Sequence, residues 1–132
     1  YEAGPLATPS IVSFSAGILF IRSVGIDNIS RKLDSLTLAA KNALSDIKSV
    51  RILGSERGIL CFNVAVMPSS RVEAELDRLG ICVRSGLHCA PSAHRLLGTL
   101  DGGAVRISFS YFNRQTEIKR LADAISKIAK GV

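Results

Sequence analysis

An α+β fold, with helices packed on one face of a small, mainly antiparallel sheet of about four strands, is predicted by three observations. Apolar residues recur at spacings of three and four over 27–47 and again over 118–129, the period of a helix with one buried side. Two short apolar runs, 50–53 and 59–66, are joined by Gly54-Ser-Glu-Arg-Gly58, which is loop chemistry suited to an antiparallel hairpin. Residues 104–110 alternate apolar and polar side chains, as a half-buried strand does. The resulting order is ααββαβ(α)βα, with no internal repeat and no low-complexity stretch. The pattern leaves the strand order open.

Taken from the start, residues 1–8 have no periodicity and read as an extended connector, a cut end more than a designed N-terminus. Thr8 and Pro9 form an N-cap and first-turn pair for a helix reaching residue 24. That helix is apolar on nearly every side and so needs cover from more than one direction. The second helix carries Ile29, Leu33, Leu36, Ala40, Ala43, Leu44 and Ile47 on one stripe, with Arg31, Lys32, Lys41 and Lys48 largely off it. After the hairpin, Ser70 and Glu73 stand three apart as a capping box, predicting a helix that ends before Gly80. Residues 81–84 predict a third strand and 92–97 a short helix. Asn113 is placed as the cap of the last helix, whose buried face is Ile118, Leu121, Ala122, Ile125, Ile128 and Ala129.

The chain has 132 residues, 47% hydrophobic and 21% charged, the size and balance of one domain with a real core. Its three cysteines, Cys61, Cys82 and Cys89, are odd in number and irregularly spaced, which argues against a disulfide scaffold and for a reducing, cytoplasmic setting. The apolar run 11–21 is interrupted by Ser13 and Ser15 and is about half the length of a bilayer span, so no membrane association is expected. The net charge of +6 is scattered and aromatics make up only 5%, so no nucleic-acid partner is expected either.

Chemistry concentrates in the segment from Ile81 to Pro91, which runs from strand to loop to helix and brings Arg84, His88 and Cys89 onto the connection. A thiol there can gain thiolate character from a cationic neighbour and from the helix that follows, as nucleophilic sulfur chemistry requires. Cys61 and Cys82 lie within apolar strand runs and read as small core hydrophobes. Cys82, His88, Cys89 and His94 could in principle supply four zinc ligands, but no Cys-x-x-Cys pair is present, and His94 reads as an ordinary helix residue. Arg106 shares a strand face with Ser108 and Ser110; periodicity does not say whether that face meets water or a cleft.

Arg84-Ser-Gly-Leu-His-Cys89-Ala-Pro, then Val105-Arg106-Ile-Ser-Phe and Tyr111-Phe-Asn113, resembles the C-terminal domain of cysteine desulfurases and selenocysteine lyases. These form part of the class V branch of fold-type I pyridoxal phosphate enzymes. The resemblance extends to Tyr1-Glu-Ala-Gly and the helix behind it, and so covers nearly the whole chain. It implies a connector at 1–8 from an upstream cofactor-binding domain, followed by the small domain at 9–132. It implies pyridoxal 5′-phosphate (PLP) as the cofactor of the longer enzyme and L-cysteine or L-selenocysteine as substrate. Cys89 would attack the substrate's sulfur, leaving L-alanine and a persulfide. By the same resemblance Arg106 holds the substrate carboxylate, with Arg84 and Asn113 in the substrate-binding set. Gly4 and Thr8 would approach the cofactor phosphate. His88 is next to Cys89 in sequence and could tune the thiol's charge or pass a proton, but adjacency alone does not set its role. A homodimer and a sulfur-acceptor protein are implied as partners.

Two departures stand out. Pro5 and Ala7 occupy the places where the family's connector carries threonine and asparagine. The lysines, at 32, 41, 48, 119, 127 and 130, fall in helices or chain-end turns, and none follows the Ser/Gly-His pair that precedes a cofactor-binding lysine. The chain by itself is therefore expected not to bind the cofactor covalently and to be inactive. The alternatives are a selenocysteine lyase, a class V aminotransferase-type enzyme that uses no thiol, and a non-catalytic interaction module.

Overall fold

The computed structural model describes residues 7–65 and 67–130. Two helices, α1 (Thr8–Val24) and α2 (Ile26–Ser45), precede the hairpin β1 (Val50–Glu56) and β2 (Ile59–Val64). Then follow α3 (Ser69–Arg78), β3 (Arg84–Gly86), α4 (Pro91–Leu97), β4 (Ala104–Ser108) and α5 (Gln115–Ala129). The four strands form one sheet in the order β1-β2-β4-β3, with every neighbouring pair antiparallel. The predicted α+β class and four-stranded sheet are what the structure has.

Strand alternation decides the layers. Leu60, Phe62 and Val64 of β2 and Val105 and Ile107 of β4 are buried. The same cluster takes in Leu36, Ala40 and Leu44 of α2, Val72 and Leu76 of α3, and Ile118, Leu121, Ile125 and Ile128 of α5. Fully burying one such side chain stabilises the fold by about 1.5–3 kcal/mol, so this face carries most of the stability. Of the predicted stripes, Leu36, Ala40 and Leu44 of α2 and Ile118, Leu121, Ile125 and Ile128 of α5 are buried; Ala124 joins them, and Ile29 and Leu33 stay partly exposed. Thr37 adds a polar tie: its Oγ1 donates to Leu33 O at 2.7 Å and accepts from Gly58 N at 2.8 Å, pinning the hairpin turn to α2.

Several expectations are corrected. Thr8 is the first residue of α1 and not its cap, which is Ala7. Ser70 and Glu73 make no capping box: α3 starts after Pro68, and the Glu73 carboxylate is taken by Ser85 Oγ. The third strand is Arg84–Gly86, not 81–84, because Ile81 N closes the end of α3 on Leu76 O at 2.9 Å. Cys82 is consequently exposed instead of buried, and Cys61 is half-buried. The α5 cap falls one residue after Asn113, at Arg114. Gly4 lies outside the described residues.

Helix α1 buries none of its side chains. Val12, Phe14 and Leu19 are each at least 60% exposed, and among packed elements it leans on α2, with Phe20 stacked at 5.4 Å on Phe112. Among the described residues no single helix is long and apolar enough to cross a membrane; α1 and α2 meet the length and composition only as a pair bent by 81°.

Candidate functional site

Cys89 sits at the surface on a tight turn between β3 and α4. Ala90 N donates to Leu87 O at 2.8 Å across the turn, and its two central residues both have left-handed backbones, His88 at φ +51° and Cys89 at φ +58°. Glycine, asparagine and aspartate dominate such positions, because a side chain in that region costs roughly 1–2 kcal/mol. Strain of this kind persists only where the surroundings enforce it.

The surroundings do so. Gly86, just before the turn, pairs with Ala104 of β4, and a Cβ on Gly103 would lie 2.6 Å from the Gly86 backbone, so the two rails pass too closely for any side chain. His88 is half-buried, with Nε2 3.0 Å from Ala104 O. A carbonyl only accepts, so Nε2 carries a proton, and in the corresponding neutral tautomer Nδ1 is the acceptor. The loop before β4 is held by Asn63 Nδ2 on Gly103 O at 3.0 Å and by Ser69 Oγ on Gly102 O. On the incoming rail, Ser85 is held by Glu73 of α3.

Two residues beyond Ala104, about 7 Å along the strand, lies Arg106. It stands directly opposite Arg84 of β3 on one side and Cys61 of β2 on the other, so the three side chains share the sheet face away from the helices. Like charges directly across an antiparallel pair repel. Neither arginine has an ion-pair partner among the described residues, and Arg106 Nε is buried without a hydrogen bond. The pair has the chemistry to receive an anion, since guanidinium forks match a carboxylate. Burial pushes the Cys61 thiol pKa up, while Arg106 opposite pulls it part of the way back.

Arg84 and Arg106 thus face each other at one end of the short β3–β4 ladder, and the His88–Cys89 turn leaves its other end, past Gly86 and Ala104. Asn113 is elsewhere. Its Oδ1 accepts from Ser110 N at 2.7 Å and its Nδ2 donates to Glu117 Oε2 at 2.9 Å, both within the turn that leads into α5. Thr8 stands in the exposed first turn of α1. His94, read from sequence as an ordinary helix residue, is instead buried beside the turn. Its ring centroid is 6.1 Å from that of His88, and its Nδ1 is 2.8 Å from Thr99 Oγ1. Asn63, Ser69 and Glu73 were also missed, for their partners are backbone carbonyls or a serine distant in sequence. Among the described residues no three His, Cys, Asp or Glu side chains are grouped to hold a metal ion.

The family model for aminotransferase class-V matches residues 1–121. The chain belongs to that family. It is 34% identical over 134 aligned positions to a probable cysteine desulfurase of Methanothermobacter thermautotrophicus, covering 98% of this chain and 34% of the relative. The apo cysteine desulfurase of Thermococcus onnurineus superposes with a TM-score of 0.88 at 30% identity, over 99% of this chain and 33% of that one. At 15% identity, the C-DES enzyme shares the fold with a TM-score of 0.75, over 95% of this chain and 30% of that one; a variant of it carries glycine covalently linked to its PLP cofactor. The chain therefore spans about a third of the length of the class-V relatives it matches.

Proposed function

We propose that this chain is the small domain of a longer PLP-dependent cysteine desulfurase, with a connector at 1–8 and the domain proper at 9–132. In this reading Cys89 accepts sulfur from L-cysteine. The single observation that carries it is the left-handed His88–Cys89 turn, which displays a thiol next to the strand bearing the unpaired Arg106–Arg84 couple.

The lysines do not fit a covalent cofactor site within the chain. Lys32 and Lys41 lie on α2, with Lys32 Nζ 4.6 Å above the Tyr111 ring; Lys48 follows that helix, and Lys119, Lys127 and Lys130 lie along or at the end of α5. None shares the sheet face of Arg106. PLP, which supplies an electron sink to amino-acid chemistry, is accordingly assigned to the part of the protein outside this chain. Arg106 orients the substrate through its carboxylate, with Arg84 adding the second positive charge. Sγ of Cys89 bonds to the substrate's sulfur, and the bond from that sulfur to the β-carbon breaks with its electron pair going to carbon. The sum is thiol plus cysteine giving persulfide plus alanine, which balances without an external oxidant. His88 Nδ1 is the acceptor for the thiol proton. The exposed turn leaves the persulfide within reach of an acceptor thiol.

The test is the full-length protein given L-cysteine, with alanine and protein-bound persulfide measured. Alanine formation with persulfide on Cys89, both lost in Cys89→Ala, is expected. Undiminished alanine production by Cys89→Ala would refute the role of the thiol.

A further inference from the structure

Helix α4 buries the wrong residue for a helix held by apolar packing. Its Leu96 is 90% exposed, whereas His94 is 5% exposed and is the one residue of the helix that is fully buried. Burying an imidazole is unfavourable unless its polar atoms are matched, and here one of them is matched by Thr99. The contacts around His94 form a closed circuit. Its backbone N donates to Ala90 O at 3.2 Å, next to Cys89, and its carbonyl accepts from Thr99 N at 2.9 Å. Thr99 O in turn accepts from Gly103 N at 2.8 Å, and the following residue, Ala104, holds His88. The His88 and His94 rings then close the loop across the turn.

We propose that His94 is a positioning residue for the sulfur-accepting thiol: its ring and its bond to Thr99 hold the Cys89 turn in the strained left-handed form. The inference rests on the reading of Cys89 given above. A turn with two left-handed non-glycine residues relaxes once the contacts enforcing it are removed. His94 supplies the side-chain link in that circuit between the helix leaving the turn and the loop entering β4. The substrate's carboxylate is gripped by Arg106 on β4, outside the circuit, so loss of His94 affects placement of the nucleophile and leaves substrate binding intact.

The test compares His94→Leu, Thr99→Val and His94→Asn in the full-length protein. Asparagine places an amide where Nδ1 stands, and Thr99→Val breaks the same link while leaving the histidine. In His94→Leu and Thr99→Val, hydrogen exchange at the Ala90 amide should quicken about tenfold or more, the scale of one broken buried hydrogen bond. The β2–β4 ladder amides should stay protected, which separates a local effect from unfolding. Alongside, kcat for alanine formation should fall by about 10- to 100-fold at unchanged KM, and His94→Asn should recover both readouts. Unchanged Ala90 exchange in His94→Leu, unchanged kcat, or no recovery in His94→Asn would each overturn the proposal. If no alanine forms in the unsubstituted protein, the desulfurase reading fails, while the exchange measurement still decides whether His94 holds the turn.

Discussion

Glycine destabilises a protein relative to alanine at most positions, by roughly 0.5–1 kcal/mol, because it has more freedom to lose on folding. At position 89 that sign should invert. Cys89 has φ +58° and an exposed side chain whose removal breaks no hydrogen bond among the described residues. Alanine there keeps the left-handed penalty of about 1–2 kcal/mol, and glycine removes it. Subtracting glycine's extra unfolded-state freedom, about 0.4–1 kcal/mol, leaves Cys89→Gly more stable than Cys89→Ala by about 0.5–1 kcal/mol. For a chain of this size that is a Tm difference of roughly 2–5 °C. Urea denaturation of the two variants side by side, at pH 7 under reducing conditions, measures it. Both lack the thiol, so the comparison isolates the backbone. Equal stability, or greater stability of Cys89→Ala, would mean that the turn is not held in the left-handed form and would remove the strain argument for its function.

Gly103→Ala should destabilise the fold by about 2–4 kcal/mol, since its Cβ would lie 2.6 Å from the Gly86 backbone at φ +63°; the denaturation midpoint reads it. Cys61 should be the slowest of the three thiols towards iodoacetamide at neutral pH, as burial raises its pKa and shields it; a mass-spectrometric rate equal to that of Cys82 would contradict this. The Glu117 carboxylate is held below the usual range, first by Arg114 N and then by the Asn113 amide. A depressed carboxyl pKa stabilises above the unfolded value and loses that contribution as pH falls through the folded one. The stability gap between wild type and Glu117→Gln should therefore be present at pH 7 and close below about pH 4.

Side chains whose role follows from local period were legible. The buried stripes of α2 and α5 and the alternation of β4 follow from spacing alone, and the hairpin was announced by its glycines. What failed depended on partners far along the chain. Residues 81–83 have strand composition, but Ile81 N is taken by the end of α3 and β4 offers pairing only from Arg84 onward. Glu73 has the spacing of a capping box, yet Ser85 takes its carboxylate. Residues 54–56 read as loop, although Ser55 and Glu56 pair with Leu60 and Ile59, and only Arg57 and Gly58 turn the corner, at φ +37° and +86°. The bond from Gly58 N to Thr37 fixes that tight corner, and nothing local signals it.

The same distinction separates what the sequence named around the Cys89 turn from what it missed. Arg84, His88, Cys89 and Arg106 were named through a resemblance carried by their own residue types, whereas His94, Asn63, Ser69 and Glu73 act on backbone and loops that a linear reading does not bring near. The His88–Cys89 pair carries the physical argument, because it sets local preference against tertiary structure. Glycine or asparagine at both positions would make the turn at little strain; histidine and cysteine make it only under constraint. A protein that keeps such a conflict at an exposed turn gains nothing in stability from it, and conflicts of this kind are expected where function requires a particular group at a particular place. The close approach of Gly86 and Gly103, the clamp from α3 and the His94 circuit all act on this one turn. The thiol is therefore held against the preference of its own backbone, which is the placement that the proposed sulfur transfer would require.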